Sequence, residues 1–133
     1  MMNEPLSSIM TKNVITADPN DKLAVARDIF KQNRVHHLPV VHGTTLLGIL
    51  TTYDVFKLID KNVDFEKTLI KDVMTTHVAT LEPEDKIGSA AELFLENLFH
   101  AVPIVKDGEL KGIVTSFDVI KYEFHKEYPT QEI

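Results

Sequence analysis

The chain is written twice. A shift of 64 residues places Met10-Thr11 on Met74-Thr75, Pro39 on Pro103, Gly48-Ile49-Leu50-Thr51 on Gly112-Ile113-Val114-Thr115, and Asp54 on Asp118. From Ile9 to Lys57 the alignment needs no gap, and 20 of its 49 pairs are identical. Solenoids are built from shorter units in larger number. Two long copies predict instead a pseudo-two-fold object, in which each half covers the other's apolar face and equivalent clefts lie between the halves. A chain of 133 residues makes one compact domain, or two very small ones that depend on each other.

Each copy carries the same order of signals. A short helical turn comes first, Leu6 to Met10 and Leu69 to Met74. An extended piece follows, Val14-Ile15-Thr16 and Val78-Ala79-Thr80. After Pro19 and Pro83 come Asp21 and Asp85, residues suited to capping a helix. Leu23, Ala26, Ile29 and Phe30 then recur at helical spacing, as do Ile87, Ala90, Leu93 and Phe94. Asn33 and Asn97 are helix stops. Leu38-Pro39-Val40-Val41 and Leu46 to Leu50 read as strands around His42-Gly43-Thr44-Thr45. Their counterparts flank Lys106-Asp107-Gly108-Glu109, where Asp-Gly is a strong hairpin signal. A second helix starts near Thr52 and near Ser116. The order per copy is β-α-β-β-α, which predicts an α/β (α+β) layer fold. The expected divisions are copy one at 1–60, a linker at 61–68, copy two at 69–122 and a polar tail at 123–133.

The bulk numbers exclude several classes. A formal charge of -6 argues against a nucleic-acid binder, which needs a basic face. The chain has no cysteine, so neither disulfides nor thiolate zinc sites are available. No apolar stretch is long enough to span a bilayer, and the first residues lack the pattern of a signal peptide. A cytoplasmic location is expected. Serine elbows, HExxH, P-loop and Rossmann glycine patterns are all missing, so no enzymatic activity is expected.

The stretches "IMTKNVITADPNDKLAVARDIFKQNRVHHLPVV" with "LLGILTTYDV", and "VMTTHVATLEPEDKIGSAAELFLENLFHAVPIV" with "LKGIVTSFDV", resemble a tandem pair of CBS domains, the regulatory module named after cystathionine β-synthase. The resemblance covers nearly the whole chain, and the ordered set of motifs occurs twice. It implies two packed copies with two clefts that take adenosine compounds: AMP, ADP, ATP, S-adenosylmethionine or related molecules. It also implies a homodimer and an effector protein that reads the bound state, with no obligatory cofactor.

Gly-h-h-Thr-x-x-Asp, where h is apolar, occurs as Gly48, Thr51, Asp54 and as Gly112, Thr115, Asp118. A carboxylate accepts from both ribose hydroxyls, and a hydroxyl at a helix N-terminus suits a phosphate. The same spacing is also a capping box that needs no ligand, and the two roles can coexist. By the resemblance, one cleft combines Thr115 and Asp118 with Ile15, Val35, His36 and His37. The other combines Thr51 and Asp54 with Ala79, Phe99 and His100. Relatives often carry a basic residue two or three positions before the strand proline, where it reaches phosphate. Copy one has His36 and His37 there, copy two only His100, and arginine is absent from both. A metal site from His36, His37 and His100 is disfavoured, because adjacent strand residues point to opposite faces.

A different class of function is a ligand-free interaction module whose clefts are plugged by its own side chains, with Phe99 and Tyr53 as the plugs. Val55, Phe56, Ile59, Val119 and Ile120 on the second helices exceed what one small core absorbs, and this predicts dimerisation.

Overall fold

The computed structural model describes residues 2–97 and 100–129. It contains two compact units, one continuous from Ile15 to Val78 and one built from Met1–Val14 with Ala79–Ile133.

In the continuous unit, helix α1 (Leu23–Gln32) is followed by strands β1 (His37–His42) and β2 (Thr45–Thr51) and helix α2 (Thr52–Asp60). Leu23, Ala26, Leu38, Val40, Leu50 and Val55 meet in its core. These positions follow the helical period in α1 and lie on alternate residues in β1, so each element turns one apolar face to the core. A 3-10 turn at Ile70–Asp72 closes the unit. Ile70 is fully buried, and its N–H donates to the Asp21 carbonyl at 2.9 Å.

The second unit repeats the plan with α3 (Ile87–Asn97), β3 (Ala101–Lys106), β4 (Glu109–Thr115) and α4 (Ser116–Glu127). Its closing turn is Leu6–Ser8. Leu6 is fully buried with Ile87, Val102 and Val114, and its N–H donates to the Asp85 carbonyl at 2.8 Å. The Tyr122 hydroxyl also donates to the Glu4 carboxylate, and that bond holds the carboxyl below its ordinary range. The opening segment of each sequence copy therefore belongs to the unit of the other copy. The frames 1–60 and 69–122 describe the duplication, but the compact units are cut elsewhere. A repeat of fixed period leaves its own phase open, and the hydrogen bonds choose it.

Three local expectations change. Val14-Ile15-Thr16 and Val78-Ala79-Thr80 form no strand. Each segment makes a single parallel bridge one residue later, Ala17 to Val40 and Leu81 to Ile104. Asp21 and Asp85 do not cap α1 and α3. Their carboxylates accept from the N–H groups of Asp18 and Glu82 and so close the preceding proline turn. The hairpin loops are two residues long, not four, because His42 pairs with Thr45 and Lys106 with Glu109. Asp107 and Gly108 both have positive φ, whereas the other loop needs it only at Gly43. These are the residue choices of two different tight hairpin turns.

Among the glycines, Gly48 and Gly112 leave the least room for a side chain. A Cβ on Gly48 would sit 2.7 Å from both the Thr75 carbonyl oxygen and the Met74 sulfur, and one on Gly112 would meet Thr11 and Met10 at 2.8 and 2.7 Å. Gly48→Ala should therefore destabilise the chain by about 1–3 kcal/mol. Adding Met74→Ala should recover only part of the loss in thermal denaturation, because the carbonyl cannot move aside.

Candidate functional site

Strand β2 ends at Thr51 and helix α2 begins at the next residue. Thr51 keeps an extended backbone (φ -115°, ψ 164°), which turns its hydroxyl toward the first turn of the helix. The hydroxyl accepts from the Asp54 N–H at 3.1 Å, and the Asp54 Oδ2 accepts from the Thr51 N–H at 2.9 Å. Thr115 and Asp118 repeat this at the start of α4, at 3.2 and 2.8 Å. Both motifs are thus reciprocal capping boxes. The cap uses one oxygen of each carboxylate. Asp54 keeps 23% of its side chain exposed, and its Oδ1 lies 3.8 Å from Lys57 Nζ. That ammonium also stands 4.7 Å over the Tyr53 ring.

The residues before the first strand of each hairpin complete the surroundings. The His36 carbonyl accepts from the Thr52 N–H at 3.1 Å, and the His100 carbonyl accepts from the Ser116 N–H at 2.9 Å. The first N–H of each second helix is therefore satisfied by the chain. His37 is the direct partner of Thr51 across β1 and β2, and Ala101 is the partner of Thr115 across β3 and β4.

The continuous unit holds Thr51, Asp54, Ile15, Val35, His36 and His37, and the other holds Thr115, Asp118, Ala79 and His100. Within its own unit, each motif therefore stands beside the histidine of its own sequence copy. Phe99 lies outside the described residues. Tyr53 is 67% exposed and is not a plug, since its ring lies along α2 under Lys57. Val55 and Val119 are buried in the two cores and do not add to the exposed apolar residues of α2 or of α4. Lys57 was not anticipated as a neighbour of Asp54; its signal is the Asp-x-x-Lys spacing, which places both on one helix face. Among the described residues no group of three His, Cys, Asp or Glu is placed to hold a metal ion. No helix among them is long and apolar enough to cross a membrane.

Two helix–hairpin–helix units, each passing from a glycine-marked strand into a Thr-x-x-Asp cap, define a tandem-repeat α/β protein. The CBS domain profile matches residues 6–61 and 70–125, and the chain belongs to the CBS domain family. It is 33% identical over 121 residues to the uncharacterized protein MJ1225 of Methanocaldococcus jannaschii, an alignment covering 90% of this chain and 43% of that protein. It spans 24% and 32% of two further curated relatives. The fold of AcuB from Vibrio cholerae superposes with a TM-score of 0.89 at 22% identity, covering 99% of this chain and all of the other. The CBS domain pair of protein MJ0100, solved in complex with 5′-methylthioadenosine and S-adenosyl-L-methionine, is 30% identical with a TM-score of 0.81, covering 92% of this chain and 97% of that one.

The capping role can be separated from any other. Thr51→Ala removes the acceptor for the Asp54 N–H and should cost about 0.5–2 kcal/mol. Asp54→Asn keeps a side-chain oxygen for the Thr51 N–H and should cost distinctly less. Urea denaturation of the two variants side by side checks this ordering.

Proposed function

We propose that the chain is a regulatory, non-catalytic module of the cytoplasm. It binds an adenosine nucleotide (AMP, ADP or ATP) or an S-adenosylmethionine-like compound at its Thr-x-x-Asp motifs and signals to a protein partner. The observation that carries this reading is the half-used carboxylate. The cap fixes Asp54 and Asp118 through one oxygen, and the same cap leaves acceptor capacity for a ribose diol. An acceptor already immobilised loses little further side-chain entropy on binding. The MJ0100 pair supports the ligand class, since both of its named ligands carry adenosine.

A signal needs differential affinity between two arrangements of the protein. The reading therefore includes surfaces on which the state is read. Phe56 and Ile59 on α2, and Phe117 and Ile120 on α4, support it: all are exposed, Phe56 by 70% and Ile120 by 65%. These residues cover the outer faces of α2 and α4, and the occupant we propose is a second copy of the chain. Sedimentation should give twice the chain mass, falling to the chain mass in Phe56→Glu with Ile120→Glu. A chain-mass species at every concentration would refute the dimer and leave the ligand reading standing.

The ligand reading is tested by thermal shift with AMP, ADP, ATP, S-adenosylmethionine and 5′-methylthioadenosine. A ligand at about 100 times its Kd adds about 2.7 kcal/mol of stability. Asp54→Asn and Asp118→Asn should each abolish binding at one motif without unfolding the apoprotein. No shift with any compound in the panel would sink the reading.

A further inference from the structure

Methionine carries all the sulfur of this chain, which has four methionines and no cysteine. Two of the four, Met10 and Met74, are counterparts in the duplication and hold equivalent places in the two units. Each is half-buried and packs against the core of its own unit. Its thioether fills the space that a side chain on the hairpin glycine would take. A Cβ on Gly48 would lie 2.7 Å from the Met74 Sδ and 2.9 Å from its Cγ, and one on Gly112 would meet the same atoms of Met10 at the same distances. Met2 differs, since a Cβ on Gly88 would approach its carbonyl oxygen and its Cβ rather than its sulfur.

The backbone makes these two side chains consequential. The Met74 N–H donates to the Ile70 carbonyl at 3.0 Å, and the Met10 N–H to the Leu6 carbonyl at 2.9 Å. Ile70 and Leu6 are the fully buried residues that close the two units. The next residues along, Thr75 and Thr11, exchange both hydrogen bonds with Ile49 and Ile113. Each methionine therefore stands between the core and the strand that leads into the Thr-x-x-Asp cap.

We infer that Met10 and Met74 are oxidation sites through which a peroxide loosens both units. One peroxide oxygen bonds to the sulfur, the O–O bond breaks, and the other oxygen leaves as water with both protons of hydrogen peroxide. The thioether is oxidised by two electrons and the peroxide is reduced by two. No thiol in the chain competes for the oxidant. A thioether is apolar and flexible, whereas a sulfoxide is polar and chiral. The new oxygen has no room on the glycine side, where the strand backbone lies. Turned into the core it would be a buried acceptor without a donor. It must turn to water and take the side chain off the glycine. The closing segment then loses its hold on the strand, and reduction to the thioether restores it. No ligand takes part.

The test exposes the full chain to hydrogen peroxide, maps the added oxygens by peptide mass spectrometry and follows thermal unfolding. Met10 and Met74 should each gain one oxygen, and the melting temperature should fall by about 4 °C or more. Methionine sulfoxide reductases of both epimer specificities should restore the masses and the melting temperature together. The variant Met10→Leu with Met74→Leu, which keeps side-chain volume, should melt at one temperature before and after treatment, whatever happens at Met2. Sulfoxide at Met10 and Met74 with an unchanged melting temperature overturns the inference. So does oxidation confined to residues 1 and 2, or an equal fall in the doubly substituted variant. If that variant does not fold, the reductase treatment of the unmodified chain decides: repaired masses with a melting temperature still low overturn the inference.

Discussion

Everything in each unit hangs on one backbone contact. The Met74-Thr75 segment lies against β2 at Gly48 with no room for a side chain, and the Ile49 and Thr75 backbones exchange both hydrogen bonds at 2.9 and 3.0 Å. Met10-Thr11 does the same to Ile113 beside Gly112. The contact fixes the strand two residues before Thr51 or Thr115, where the chain leaves the sheet and enters the helix. It also brings Ile70 or Leu6 into the core and so closes the unit. A hairpin with one helix on either side cannot bury enough apolar surface to hold such a motif still.

That contact explains how much could be read in advance. The duplication, both hairpins, all four helices and the two Thr-x-x-Asp motifs are local patterns, and local patterns survive in one dimension. The partnership of segments is not local. Nothing in Leu6 or Ile70 says which hairpin it will close, because the two copies offer the same apolar face. Asp21 shows the same limit at small scale. An acidic residue just before a helix has two sets of N–H groups within reach, ahead of it and behind it. The proline turn behind it, which needed closing, won. Val55 and Val119 show it too: by helix pattern they exceed what one small core absorbs, yet both lie inside the cores.

The motif residues were legible as a type, but their neighbours were not. Asp54 and Asp118 declare themselves through spacing, yet the same spacing describes a plain helix cap, and the caps are there. What the residues around them do depends on register. Pairing of His37 with Thr51 is fixed by the bulge after Val40 and by the two-residue turn, and a slip of one position would bring His36 opposite instead. The Lys57 approach depends on a rotamer held over the Tyr53 ring. Neither is visible in composition or motif.

The cap and the proposed binding role reinforce each other for a physical reason. A free aspartate at a strand end samples several rotamers, and a ligand must immobilise it. In the capping box, the Thr51 and Asp54 side chains are each held by the other residue's N–H, so the carboxylate is oriented before a ligand arrives. The same bonds tie the orientation of the carboxylate to the integrity of the first turn of α2. A ligand that gains affinity from the oriented carboxylate must stabilise that turn, by linkage. The outer face of the same helix exposes Phe56 and Ile59. Ligand-dependent order at the start of α2 would thus reach the proposed protein-binding surface through a single helix of nine residues, without any longer path through the core.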